Sequence, residues 1–200
     1  PKPSSAASDV YKRQVLTLLQ KRTRLAKRVL AGEGLLEAVT WSFVSDEQAA
    51  LFGGGKPELR LANPIAADLS AMRPSLLPGL LAGAGRNAAR GAGDVALFEV
   101  GQIFLGDGEN DQRIAAAGLR RGTAKAAGGG RHWTGAAGPV GVFDAKADAL
   151  ALMTALGINP AAVQVVPGGP DWMHPGRSVT FRMGPKNPIG FCGPMRKVTD

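Results

Sequence analysis

Apolar residues recur every three or four positions from Val15 to about Ala31, at Val15, Leu18, Leu19, Leu25, Ala26, Val29 and Leu30, with basic residues between them. That spacing predicts an amphipathic helix, closed by Gly32 and Gly34. From Glu37 to Val44 the period shortens to two and β-branched and aromatic residues enter, which predicts a strand. Ser45 and Gln48 stand at the spacing of a capping box for a short helix through Phe52, which Gly53-Gly54-Gly55 ends. Glu58 to Ala62 reads as a short strand before an Asn63-Pro64 turn, because Pro64 biases Asn63 away from helical geometry. Ser75 is placed to cap a helix to about Asn87 that buries Leu76, Leu77, Leu80 and Leu81. Pro74 and Pro78 fall near its first turn, where a missing amide donor is tolerated. Arg90-Gly91-Ala92-Gly93 is then a loop. Val95 to Leu105 and Ile114 to Arg121 read as strands, and Phe143 to Leu156 as a helix stopped by Gly157, with Phe143, Ala147, Leu150 and Thr154 down one side and Leu152 and Leu156 flanking it. Val163 to Val166, Ser178 to Met183 and Ile189 to Phe191 complete the list of short strands. Strands and helices segregate rather than alternate, which argues an α+β fold, an antiparallel sheet flanked by helices.

Between Gly122 and Pro139 the composition shifts to Gly, Ala, Thr and Lys, with little to bury, and this stretch is expected to be mobile. Residues 1–14 resemble the in-frame translation of a sequencing-library adapter and read as a non-native leader, which leaves 15–200 as one domain. A domain of this size buries around 70% of its unfolded surface, so there is ample chain for a core. The formal charge is +8, of which Lys2, Lys12, Arg13 and Asp9 in the leader supply +2. A surplus of this size is compatible with nucleic acid without demanding it. Its densest run is Lys21-Arg22-Arg24-Lys27-Arg28, with smaller groups at Arg120-Arg121 and Arg196-Lys197. A solvated helix face is the simpler account of the first. One cysteine, Cys192, excludes an internal disulfide and a multi-Cys zinc site, which fits a cytoplasmic protein. No uninterrupted apolar run is long enough to span a bilayer, so no membrane association is predicted.

The candidate chemistry is sparse. Arg73, beside a predicted helix N-terminus, could hold a phosphate with the helix dipole and free amides. The competing account, an ion pair with Asp68 or Glu99 that holds the turn on the sheet, is preferred. His174 lacks partners for a base or a metal centre, since the other histidine, His132, lies in the Gly-rich stretch. In His174-Pro175-Gly176, Pro presets a turn and Gly supplies a positive φ, so a turn is the simpler reading. Gly53-Gly54-Gly55-Lys56 lacks phosphate-loop spacing and reads as a helix stop. Cys192, in an apolar strand with no nearby Lys or His in sequence, reads as an inert thiol. Asp107, Glu109 and Asp111 look like a solvated hairpin turn. The residues therefore give no catalytic, no cofactor-binding and no metal-ligating assignment.

Five collinear segments resemble one family. Asn63-Pro64-Ile65 followed by Ser70-Ala71-Met72-Arg73-Pro74-Ser75-Leu76-Leu77-Pro78-Gly79-Leu80-Leu81 is similar to the signature of the bacterial phenylalanine–tRNA ligase beta subunit. So are Gly34-Leu35-Leu36-Glu37-Ala38-Val39-Thr40-Trp41-Ser42-Phe43-Val44, Leu97-Phe98-Glu99-Val100-Gly101-Gln102-Ile103-Phe104, Phe143-Asp144-Ala145-Lys146-Ala147 and Met173-His174-Pro175-Gly176-Arg177-Ser178. They span roughly Lys21 to Gly193. The resemblance implies the class II synthetase-like core of that subunit, C-terminally truncated, in which the arginines that clamp ATP are lost. Phe98-Glu99-Val100 stands where an Arg-x-Glu would be wanted. It implies an alpha subunit partner in an α2β2 heterotetramer, tRNA(Phe), and ATP and Mg2+ for the whole enzyme, with none bound by this fragment. A stand-alone basic RNA-binding module using Arg22, Arg24 and Arg28 is the alternative, and a free-standing ATP-dependent ligase a third. The chain departs from the family at Gly193-Pro194-Met195-Arg196, where a second His-Pro is missing.

Overall fold

The computed structural model describes residues 15–123, 131–132, 135–136 and 138–196. Residues 1–14, read above as a leader, and most of the Gly-rich stretch lie outside the described residues. Helix α1 (Leu18–Gly32) opens at Thr17, whose hydroxyl accepts from the Gln20 amide while the Gln20 side chain accepts from the Thr17 amide. This cap starts the helix later than the apolar period does. Val15, Leu18 and Leu19 are left exposed, and Ala26 and Leu30 carry the buried stripe.

The single strand expected over Glu37 to Val44 is two. Strand β1 (Leu36–Glu37) runs parallel to β4 (Val95–Phe104), and β2 (Phe43–Val44) pairs antiparallel with β3 (Ala71–Met72). Between them the Thr40 and Trp41 carbonyls turn toward the Arg73 guanidinium at 3.4 and 3.5 Å, so the chain leaves the ladder there. Helix α2 (Asp46–Leu51) is capped as predicted by Ser45, and Gly53 at φ 87° ends it. The strand expected over Glu58 to Ala62 is instead a 3-10 turn, Pro57–Leu59, after which Arg60 makes an isolated bridge to Ala71. Pro57 fits the first position of such a turn, where its missing amide costs nothing, and the Arg60 amide closes the turn on the Pro57 carbonyl at 3.1 Å. Helix α3 (Leu77–Ala89) carries Pro78 in its first turn, and Ser75 accepts from the Leu77 amide at 3.2 Å.

Strand β4 and β5 (Gln112–Arg121) form a ten-residue antiparallel pair, from Val95↔Arg121 to Phe104↔Gln112, and the first sheet has the order β1-β4-β5. Strand β4 is covered on both sides. Phe98 and Val100 pack with Ala26, Leu30 and Leu35 from α1 and its C-terminal turn, while Glu99 points to the opposite face with Arg73. A short pair, β6 (Arg131–His132) with β7 (Gly135–Ala136), precedes helix α4 (Val142–Ala155). Strands β8 (Gln164–Pro167), β9 (Val179–Arg182) and β10 (Pro188–Cys192) form a second, antiparallel sheet with β9 in the centre. All sheet pairings are antiparallel except the two-residue β1–β4 contact, and the α+β class follows.

Helix α4 joins two cores, through Leu152 to the Phe98 cluster and through Met153 to Phe181 and Cys192. Its buried face runs through Ala145, Ala149, Leu150, Leu152 and Met153; it shares Leu150 with the predicted stripe and Leu152 with its flank, while Phe143 and Thr154 lie off it. Phe143 is 80% exposed and Thr154 turns back onto the Leu150 carbonyl. Ten of its fourteen residues are apolar, too many for one stripe, so sequence period could not choose the face that two different sheets select. Arg120 locks the arrangement. Its Nε and Nη2 donate to the two Asp148 carboxylate oxygens at 2.7 and 2.8 Å, and Nη2 also reaches the Glu33 carbonyl at the end of α1. The Asp148 carboxylate beside it holds the Arg120 guanidinium protonated even more firmly than usual, and burial opposes this only in part.

Candidate functional site

The segment with the strongest sequence signature, Ala71 to Leu80, is also the most continuously buried stretch of the chain. Arg73 is 4% exposed and Glu99 3%. Arg73 Nη1 donates to Glu99 Oε1 at 2.7 Å and to Thr40 Oγ1 at 3.0 Å, and its Nε donates to the Gln102 carbonyl at 2.8 Å. The Thr40 hydroxyl in turn donates to Glu99 Oε2 at 2.6 Å. The backbone joins in, since the Arg73 amide donates to the Ser42 carbonyl and the Phe104 amide to the Arg73 carbonyl. Two charges are therefore removed from water only because each is met by its opposite and by further hydrogen bonds.

Two glycines make room for this network. A Cβ at Gly101 would lie 2.7 Å from Arg73 Nη2 and 3.2 Å from Glu99 Oε1. On α3, a Cβ at Gly79 would collide with the Thr40 side chain, whose Cβ is 2.7 Å away. Helical glycine costs about 1 kcal/mol against alanine, and here it permits the close approach of α3 to Thr40. Of the two carboxylates considered for Arg73, Glu99 is the partner, whereas Asp68 lies on an exposed loop. The guanidinium cannot also serve as a phosphate clamp, because its partners hold it inside the core. Among the described residues no group of three or more His, Cys, Asp or Glu side chains converges as a metal site would require.

His174 stands in the predicted turn, closed by a 3.2 Å hydrogen bond from the Arg177 amide to the His174 carbonyl. Gly176 does not adopt the positive φ expected of it, so its role is not left-handed geometry. Its amide donates to His174 Nδ1 at 3.2 Å, which a turn without that φ allows. His174, Pro175 and Arg177 face Pro194, Met195 and Arg196 across an open groove of about 520 Å³. The sequence reading missed this juxtaposition, because the two segments lie on either side of β9 and β10. The sequence signals were separate ones, the His174 to Arg177 motif, the basic Arg196 and the departure from the family pattern at Pro194-Met195-Arg196, with nothing to join them.

The remaining candidates are structural. Lys56 donates to the Leu105 carbonyl at 2.7 Å, after a helix stop at Gly53 and Gly55, both with φ 87°. Cys192 is 8% exposed. Burial pushes its thiol pKa up, and Lys146, which the sequence gave no reason to place nearby, pulls it down only partly. In the first basic run Lys27 pairs with Glu37 at 2.6 Å, while Arg22, Arg24 and Arg28 are exposed.

Comparisons with known proteins agree with this architecture. The model of the family described as "Phenylalanyl tRNA synthetase beta chain CLM domain" matches residues 3–198. The chain is 60% identical over 193 residues to the phenylalanine–tRNA ligase beta subunit of Brucella suis biovar 1 (strain 1330), covering 96% of this chain and 24% of that protein. It is 58% identical over 193 residues to that of Mesorhizobium japonicum, again with 96% and 24% coverage. The chain thus spans about a quarter of the length of these relatives. In three dimensions it is similar to a pyrrolysyl tRNA synthetase of Desulfitobacterium hafniense, with a TM-score of 0.60 at 13% identity over 92% of this chain and 58% of that one, a likeness of fold alone. The chain belongs to the phenylalanyl-tRNA synthetase beta chain CLM domain family, a class II synthetase-like fold whose signature arginine is spent on its own core.

Proposed function

We propose that this chain is the noncatalytic, synthetase-shaped scaffold of a phenylalanine–tRNA ligase beta subunit, which packs on an alpha subunit and supports ATP-dependent attachment of phenylalanine to tRNA(Phe). The observation that carries the noncatalytic part is Phe98-Glu99-Val100, where the resemblance calls for an Arg-x-Glu: Phe98 is buried in the core and Glu99 is neutralised by Arg73. A class II catalytic sheet needs guanidinium groups free to meet phosphate, and strand β4 offers none at that position. Binding of ATP and Mg2+ is accordingly assigned to the rest of the enzyme. The α2β2 assembly and the cytoplasmic location belong to the same proposal.

Exposed apolar side chains support a docking role. Leu36, Val39 and Trp41 are 70%, 87% and 69% exposed on the segment that leaves the first sheet. Pyrophosphate exchange with phenylalanine and ATP tests the proposal: the chain alone is expected to be inactive, and exchange by it would contradict the reading. Co-purification of full-length beta subunit with its alpha subunit tests the partner. Val39→Asp with Trp41→Asp is expected to reduce it at least tenfold, and a failure of the unsubstituted protein to co-purify would overturn the assembly.

A further inference from the structure

We propose that the groove between the His174–Arg177 turn and the Pro194–Arg196 segment binds the phosphodiester backbone of RNA, with Arg177, Arg196 and His174 as its donors. This deepens the reading of the chain as part of a tRNA ligase by naming a surface for the nucleic acid, and it rests on that reading for the identity of the RNA. The polar side chains lining the groove are all donors. Each guanidinium offers N–H groups and no acceptor. Because His174 Nδ1 accepts from the Gly176 amide, the neutral imidazole carries its proton on Nε2, which is a third donor. Among the described residues no acidic side chain lines the groove and neither Arg177 nor Arg196 pairs with a carboxylate. Such a set suits a ligand rich in acceptors and negative charge.

The groove is built rather than incidental. The His174 amide donates to the Pro194 carbonyl at 2.9 Å, the Arg196 amide donates to the Trp172 carbonyl at 3.0 Å, and Met173 bridges Met195. Below this ladder the Trp172 ring packs against Phe52 and Phe191, with centroids 5.5 and 5.9 Å away. Both arginines thus project from fixed backbone. Pro175, Pro194 and Met195 supply apolar wall against which a sugar or base face can lie, and the space of about 520 Å³ exceeds what one carboxylate needs. His174, Pro175, Arg177 and Arg196 are exposed, so the groove is open to a polymer passing along it rather than closed around a mononucleotide. The formal charge of +8 draws polyanions to the surface.

Fluorescence anisotropy of a labelled tRNA(Phe) transcript titrated with this 200-residue chain over a range of NaCl concentrations tests the proposal. The Arg177→Gln, Arg196→Gln double variant is expected to lower the magnitude of the slope of log affinity against log salt by about 1.4 to 1.8, the loss of two phosphate contacts. Arg177→Lys with Arg196→Lys is expected to keep most of the slope, and the single variants Arg177→Gln and Arg196→Gln, each expected to lower it by about 0.7 to 0.9, decide the matter should the double variant fold poorly. Arg22→Ala with Arg24→Ala on α1 is expected to leave the slope unchanged. An unchanged slope in the glutamine variant, or full displacement of the RNA by millimolar ATP, overturns the proposal. The co-purification test of the assembly stands apart. A beta subunit that binds its alpha subunit while the groove variant keeps its slope defeats only the groove, and the reverse pattern defeats only the assembly.

Discussion

Arg73 shows why a residue cannot be assigned from its neighbours in sequence alone. Met72-Arg73-Pro74-Ser75 places a cation ahead of a helix, an arrangement that elsewhere holds phosphate. Burial to 4% beside Glu99 makes it a strut instead. Arg73→Met, which leaves Glu99 without its partner, is expected to destabilise the chain by about 3–5 kcal/mol. Arg73→Met with Glu99→Leu should recover much of that, as chemical denaturation of the three variants would show. Gly79→Ala is expected to be destabilising despite the better helix propensity of alanine, since the added methyl meets Thr40. Asp94 offers a pH test at the same scale. The Thr123 amide and hydroxyl donate to its carboxylate at 2.6 and 2.7 Å, which holds its pKa below the ordinary value. The folded form therefore favours the charged carboxylate, and the contribution is present above the ordinary carboxylate range and lost as pH falls through the lowered value. Asp94→Asn is expected to flatten the acid limb of the stability profile below about pH 4, measured as melting temperature against pH.

At the scale of elements, the Ser45 cap and the Gly53 stop were legible, while the Thr17 cap, the N-cap of α3, which is Leu76 rather than Ser75, and the faces and short strands were not. Ser45 caps α2 and Gly53 ends it because those contacts reach only a few residues along the chain. Helix α4 is different, since its apolar residues outnumber one stripe and only the sheets on either side decide that Leu152 and Met153 are the bridging pair. Met153→Ala is expected to cost about 2–5 kcal/mol, whereas Phe143→Ala, at an exposed position, should leave stability within about 0.5 kcal/mol. Equal losses from the two variants in urea denaturation would refute the assignment of the buried face. The expected strand over Glu58 to Ala62 failed for a related reason: a short alternation before a turn does not carry its own partner strand, and Pro57 offers the backbone a tighter turn.

Over the whole molecule, a mixed sheet, an antiparallel sheet and the helix between them give a synthetase-like fold whose signature arginine is internal and whose donor-lined groove is built from its last described segments. Among the described residues no helix is long and apolar enough to cross a membrane. The order of the segments, the Ser45 cap, the Gly53 stop and the family were set by sequence alone, because they depend on neighbours a few residues apart and on side chains in a fixed succession. Tertiary structure alone chose Glu99 over Asp68 as the partner of Arg73, split Leu36 to Val44 between two sheets, and brought His174 and Arg177 beside Arg196. Each of those outcomes turns on which distant segments share one buried space, and that is decided by three-dimensional packing rather than by spacing along the chain.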